Sequence, residues 1–295
     1  MKRWFLIVLL SVFTSGCIST QIIPKQSVLE SIRTISVVPI ECPPLLLYPA
    51  SAEDSAAVIA LSESAARPTS ARAPSVTVPG ASPSLPSARL VNAPIANIRT
   101  AGSVFTIIGG ISVLIEVASA GKESGEPAVI EMDQPAQMWM PSVEYARTAL
   151  AALQHAGARD VRMIDRYVSL PIADRSMTWH MENWMGPVKH WYNADVSSVD
   201  YAAIDSYHSD AVLEVGVFSY QYYRESLILH VFVKLIDPHT KQVLGRAKKI
   251  TFPPPDAGPL APLLQKDAEG MKRLIVETGN RLVTTCLTAI GLVSE

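Results

Sequence analysis

The sequence predicts an α/β (or α+β) fold on one mixed sheet with flanking helices, and three observations carry that expectation. Late in the chain, "AVLEVGVFSYQYY" (211–223), "LILHVFVKLI" (227–236) and "QVLGRAKKITF" (242–252) read as a three-strand meander. Helical spacing flanks the meander, ahead of it at 142–156 and behind it at about 263–292. Far upstream, "TISVVPI" (34–40) is β-branched, apolar and stopped by "ECPP", as a buried strand would be.

Taken in order, the chain begins with Lys2 and Arg3, an apolar run over 4–13, and the small residues Thr14, Ser15 and Gly16 before Cys17. The run is about ten residues, well short of the ~20 of a membrane-crossing helix, and the order is that of a secretory signal peptide. "TSGC" resembles a bacterial lipobox, with Thr14 where Leu, Val or Ile is usual. That resemblance implies a signal peptide over 1–16 and a lipidated tether over 17–30. It also implies acylation of Cys17, palmitate included, whose thiol can form the thioether that holds the lipid. Several acyl chains, each buried CH₂ contributing roughly 0.8 kcal/mol, anchor stably where one would not. Ile18 stands where Asp often retains such proteins at the inner membrane, so the expected address is the outer membrane, periplasmic face.

Taking 16 residues from 295 leaves 279, with 23 basic residues against 27 acidic. A net charge near −4 gives no basic field for nucleic acid. Besides Cys17 there are two cysteines, Cys42 and Cys286. The periplasm permits a disulfide between them, closing a loop of about 245 residues, and two buried free thiols are the alternative. Neither lies in a C-x-x-C pattern, which leaves redox catalysis and structural zinc poorly supported.

The first strand is expected within 31–44, followed by an insert over 45–102. Of the 50 residues from 51 to 100, 27 are Ala, Ser or Pro and none is aromatic, so the insert is expected to be mostly disordered. A helical patch is possible near 55–66. The segment 103–118 holds "SVFTIIGGISVLIEV", with no charge between Arg99 and Glu116. Gly109-Gly110 suits a two-residue hairpin turn, and strands of about six residues fall short of the 9–11 that span a membrane. Packing on the chain's own core is the first reading, contact with lipid or a partner the second. A linker over 119–137 precedes the main body, 138–295.

In the body, Ser142 is placed to cap a helix whose buried side is Val143, Ala146, Leu150, Leu153 and Ala156, ended by Gly157. "DVRMID" (160–165) follows as a strand. Asp237-Pro238-His239-Thr240 supplies the turn before the last meander strand. The terminal helix, one or two, has Gly270 and Gly279 as weak points. Leu264, Ala268, Met271, Leu274, Leu282 and Ile290 form its expected buried side.

The stretches "TISVVPI", "ALAALQHAGARDVRMIDR" and "DAVLEVGVFSYQYY…LILHVFVKLIDPHTKQVLGRA" together resemble the periplasmic α/β domain of the curli-secretion lipoprotein and TolB amino-terminal domain group. The resemblance covers 34–40 and about 142–292 and rests on element order. It implies a non-enzymatic envelope protein that assembles into rings or binds protein partners, so a homo-oligomer is possible. The Ala/Ser/Pro insert and the tryptophan-rich section depart from the group.

Candidate site residues concentrate in that section. Trp139, Trp179, Trp184, Trp191 and Tyr192 are candidates for binding an envelope partner, with core packing as the alternative. Met177, Met181 and Met185 keep helical spacing beside His180, a weak Cu(I) set against a packing stripe. "GKES" (121–124) lacks the first glycine of a phosphate loop, since Glu116 stands there. No G-x-S-x-G or H-E-x-x-H occurs, and His208 with Asp210 reads as surface solvation. No catalytic residue and no cofactor is assigned. The sequence reading is a lipid-anchored accessory or scaffold protein, then a secretion-pore subunit inserting 103–117, then a copper-handling protein or hydrolase.

Overall fold

The computed structural model describes residues 21–48, 98–100, 103–108, 111–116, 139–157, 159–164, 167–168, 170, 181–202 and 208–294. The expected signal peptide, Cys17, most of the Ala/Ser/Pro insert, the expected 119–137 linker, Met177, Trp179 and His180 lie outside them. The chain is an α/β fold with one nine-stranded mixed sheet. Among the described residues no helix is long and apolar enough to cross a membrane.

The sheet is organised by one strand. Strand β7 (Ala211–Tyr223) is 13 residues long, more than twice the usual length. Its outward edge pairs antiparallel with β8 (Ser226–Ile236), which in turn pairs with β9 (Val243–Ile250). Its other edge is shared. Strand β1 (Thr34–Pro39) runs parallel to it over Ala211–Val215, and β2 (Leu45–Tyr48) runs parallel to it over Gln221–Tyr223.

Residues 45–48 therefore correct the expected insert, which begins at Leu45 in the sequence reading. Pro43 and Pro44 have no N–H and do interrupt the strand. The register still resumes: six residues, 40–45, pass where β7 supplies five, 216–220. One residue of slack carries the chain past the prolines and back to the same edge. Beyond β2 come β3 (Ile98–Thr100), β4 (Ser103–Ile108) and β5 (Ile111–Glu116), with β5 parallel to β2 and antiparallel to β4. On the far side of β1 lies β6 (Asp160–Met163), also parallel.

Helices cover both faces. Helix α1 (Gln26–Ser31), α2 (Pro141–His155) and α4 (Leu260–Ala289) pack on the first face, against Ile35, Val37, Leu213, Val215, Val231 and Val233. Helix α3 (Met181–Asn193) and the segment after it pack on the second, against Ile40 and Phe232 and around Val38, Val212 and Ile236. The 17–30 tether is corrected as well. From Gln21 onward the chain is fixed to the body, and Leu29 on α1 is buried in the main core.

Two helices differ in detail from their sequence pattern. In α2 the first helical residue is Pro141, so Ser142 is inside the first turn and makes no cap. The buried side is Ser142, Tyr145, Ala146, Ala149 and Leu153, a stripe turned toward Tyr145 from the one read off the aliphatic residues. Helix α4 breaks not at a glycine but over Gln265–Ala268, where Lys266, Asp267 and Ala268 take left-handed φ. The break leaves Leu260, Leu264, Ala268 and Met271 all buried. Gly279 lies in regular helix and has a packing role: the Tyr145 side chain packs against it, its hydroxyl donating to Ile275 O at 2.8 Å.

A Cβ at position 279 would clash with Cζ, Cε1 and Oη of that side chain. Gly→Ala in an exposed helix interior stabilises by roughly 1 kcal/mol. Gly279→Ala is expected to do the opposite, destabilising by about 1–3 kcal/mol through overpacking. Urea midpoints of the two proteins give the sign directly.

Candidate functional site

The second face of the sheet divides in two. Its lower half lies beneath the C-terminus of α3. A helix leaves its last four carbonyls without internal donors, and here the donors come from the sheet. Lys234 Nζ donates to Trp191 O at 2.8 Å. Arg246 Nη1 donates to the carbonyls of Tyr192, Asn193 and Ala194, the shortest bond being 2.7 Å to Asn193 O, and meets Asp195 at 3.2 Å. Positive charge at this end also suits the helix dipole, an interaction of up to ~2 kcal/mol when partly buried.

These two cations belong to a row. Glu214, Lys234 and Arg246 stand opposite one another on β7, β8 and β9. Alternation along each strand turns all three side chains to the α3 face. Glu214 Oε1 accepts from Tyr201 Oη at 2.6 Å, and Glu214 Oε2 lies 3.9 Å from Lys234 Nζ. The Lys234 ammonium also lies 4.3 Å from the Trp191 ring centre. Glu214 and Lys234 are fully buried. Burial pushes the Glu214 carboxyl up to about 7, against the pull of Lys234 and the Tyr201 hydrogen bond. Burial also lowers Lys234, which Glu214 opposes. Each buried ion costs several kcal/mol of lost hydration. The row's main effect is therefore to fix where α3 docks.

The upper half of the face, past the end of α3, carries Phe218, Ser219, His230, Lys248 and Ile250, none of them fully buried. Ser219 Oγ and His230 Nδ1 are 3.0 Å apart. That is the distance of a nucleophile and its base. However, burial and the nearby Lys248 push His230 down to about 4, which makes it a weak base at neutral pH. Among the described residues no carboxylate bonds to its ring. No sequence signal marked this pair, because it forms only through the β7–β8 register.

The sequence candidates fall elsewhere than expected. Trp184, Trp191 and Tyr192 are buried in the chain's own core, and the last two pack their rings on Phe232 at 4.7 and 5.5 Å. They are corrected from partner-binding residues to the seat of α3. Trp139 is half-buried against the main core. Met185 is exposed, and among the described residues no three His, Cys, Asp or Glu side chains are grouped to hold a metal. Cys42 and Cys286 are buried free thiols, bonded to different carbonyls, Ile40 O and Val231 O, so the possible disulfide is corrected to its alternative. Asp210 is structural: it accepts from the backbone N–H of Arg33 and Thr34 at 2.8 and 2.9 Å, which holds its carboxyl below the usual range and starts β1.

No family model matches the chain, and no curated protein matches it. Among solved structures, the PelC dodecamer from Paraburkholderia phytofirmans is 13% identical with a TM-score of 0.29, over 52% of this chain and 77% of that one. Protein XCC0632 from Xanthomonas campestris is also 13% identical with a TM-score of 0.29, over 86% of this chain and 95% of that one. Hypothetical protein CT253 from Chlamydia trachomatis has a TM-score of 0.21 at 13% identity, over 50% of this chain and 89% of that one. Likenesses this weak carry no argument about what the chain does.

Replacing Lys234 with Met keeps the apolar stem and leaves Glu214 without its cation. The Lys234→Met variant is expected to lose about 3–5 kcal/mol at neutral pH. Glu214's folded value lies above its ordinary 4.5, so the stability it contributes is present below 4.5 and lost as pH rises through about 7. Without the cation that value rises further. The deficit, read from urea midpoints across pH, is then smallest in acid and grows toward neutrality. The thiols give a separate test. Burial pushes both Cys42 and Cys286 up to about 12, so neither is expected to react with a thiol reagent in the native protein. Both should react after denaturation without reductant, whereas a disulfide would leave neither reactive.

Proposed function

We propose that the chain is a lipid-anchored envelope protein on the periplasmic face of the outer membrane, where its α/β domain serves as a non-enzymatic accessory or scaffold for another envelope component. The observation that carries this reading is the join between anchor and body. "TSGC" ends a signal-like segment at Cys17, and by Gln21 the chain is already bonded to the domain. A short connection of this kind suits a domain held at the membrane. The element order that resembles the curli-secretion lipoprotein group supports the same reading.

The buried ionisable groups favour a scaffold over an enzyme, because their bonds are spent on the fold. Lys234 and Arg246 close a helix, and Glu214 is bonded to Tyr201. Strands β4 and β5, six residues each, are short for a pore-forming hairpin.

Cys17→Ser is expected to release the protein from washed membranes, with the wild type retained. Retention of the serine variant would remove the lipid anchor from the reading. Light scattering on the detergent-extracted wild type, with the detergent mass subtracted, is expected to give a monomer or dimer. A large closed ring would favour the pore subunit instead.

A further inference from the structure

The anchor's join to the body also fixes which part of the domain faces the membrane, and this inference rests on the lipidation proposed above. Gln21 Nε2 donates to Ala289 O at 2.9 Å. Ile22 exchanges both backbone hydrogen bonds with Arg246 on the outer edge of β9, at 3.0 and 2.9 Å. Pro24 then packs on Gly245, where a Cβ would lie 2.6 Å from the Pro24 ring. Only Ile18, Ser19 and Thr20 separate Gln21 from Cys17. Four Cα steps reach at most about 14 Å, so lipid on Cys17 holds the body against the bilayer surface.

The bridge at Ile22 is antiparallel, so Gln21, the residue ahead of it, lies on the Ala247 side of Arg246, the side of β9 that leads to Lys248, Ile250 and Phe252. Exposed apolar side chains collect at that end of the meander. Phe252 is 91% exposed, Ile250 49% and Tyr223 42%. Asp256 bridges Ser226 there, which brings the 252–256 segment beside the β7–β8 turn that carries Tyr223. Cations stand among these groups. Arg224 lies 5.1 Å from the Tyr223 ring centre and Lys248 lies 5.0 Å from that of Phe218, with Lys249 half-buried next to it. Glu225 and Asp256 are exposed at the same end and offset part of that charge. Aromatic and aliphatic tips with Lys and Arg beside them match the headgroup layer, which accepts apolar groups and solvates cations.

We propose that this end of the meander, Phe252, Ile250 and Tyr223 with Arg224 and Lys248, seats in the headgroup layer of the bilayer that holds the lipid of Cys17. The opposite end, at the turn around His239, then points into the periplasm. With β8 running 11 residues between them, the two ends are about 34 Å apart.

The test uses the full-length protein reconstituted into vesicles of phosphatidylethanolamine and phosphatidylglycerol. An environment-sensitive fluorophore is attached at Phe252→Cys in one preparation and at His239→Cys in another. Both sites are exposed, and the native thiols are buried. The mass of the N-terminal peptide is read first. With lipid on Cys17, headgroup-labelled nitroxide lipids are expected to quench the probe at 252 several-fold more than the probe at 239. Ile250→Cys repeats the measurement if Phe252→Cys does not fold. Equally weak quenching at both ends of a lipidated, vesicle-bound protein overturns the seating and leaves the anchor standing. A Cys17 without lipid overturns both.

Discussion

Strand β7 is the element on which the rest of the structure depends. Its length lets one edge serve β1 and β2 in succession while the other edge carries β8 and β9. Through β1 it holds β6, and through β2 it holds β5, β4 and β3. Both of its faces are covered over the first half, which is why Ala211–Val217 is buried without a break. A bulge between Val217 and Ser219 then adds one residue against β8. Past it, Tyr220 and Tyr222 still point into the main core, while Phe218 and Ser219 point away from it. The uncovered half of the second face starts at that bulge.

The covered half shows how a helix is placed rather than merely packed. Apolar contact between α3 and the sheet is non-directional, and a helix held by it alone can slide. Lys234 and Arg246 remove that freedom, since each reaches carbonyls that occur only at the end of α3. Glu214 balances the row and is itself held by Tyr201. The cost is several kcal/mol of lost hydration for each ion, offset by hydrogen bonds and by the Trp191 ring. Such a row contributes more to a unique geometry than to net stability.

The same economy of freedom appears at the N-terminus. A long flexible linker would let a lipid-anchored domain sample many orientations. Here the chain is stitched to β9 and to the end of α4 within a few residues of Cys17, so an anchor at that position would act on a rigid body. Under the proposed reading, a domain held in one orientation would offer one surface to its surroundings, as a scaffold requires.

Much of this was legible in the sequence because it depends on local pattern. Three strand-like runs with turn residues at 237–240 marked the meander, and helical spacing marked the helices on either side of it. Other features were hidden. Strand β2 followed two prolines, and nothing local says that one residue of slack restores the register. The aromatic residues of α3 carry the composition of a binding surface, and only the docking of that helix turns them inward. The Glu214–Lys234–Arg246 row spans 33 residues of sequence and exists through strand register alone. The sequence by itself determined the meander, the first strand and the long helices on either side of the meander, since those follow from neighbouring residues. The tertiary structure alone decided which apolar groups are core and which face outward. Burial depends on what packs opposite, and that partner is distant in the chain.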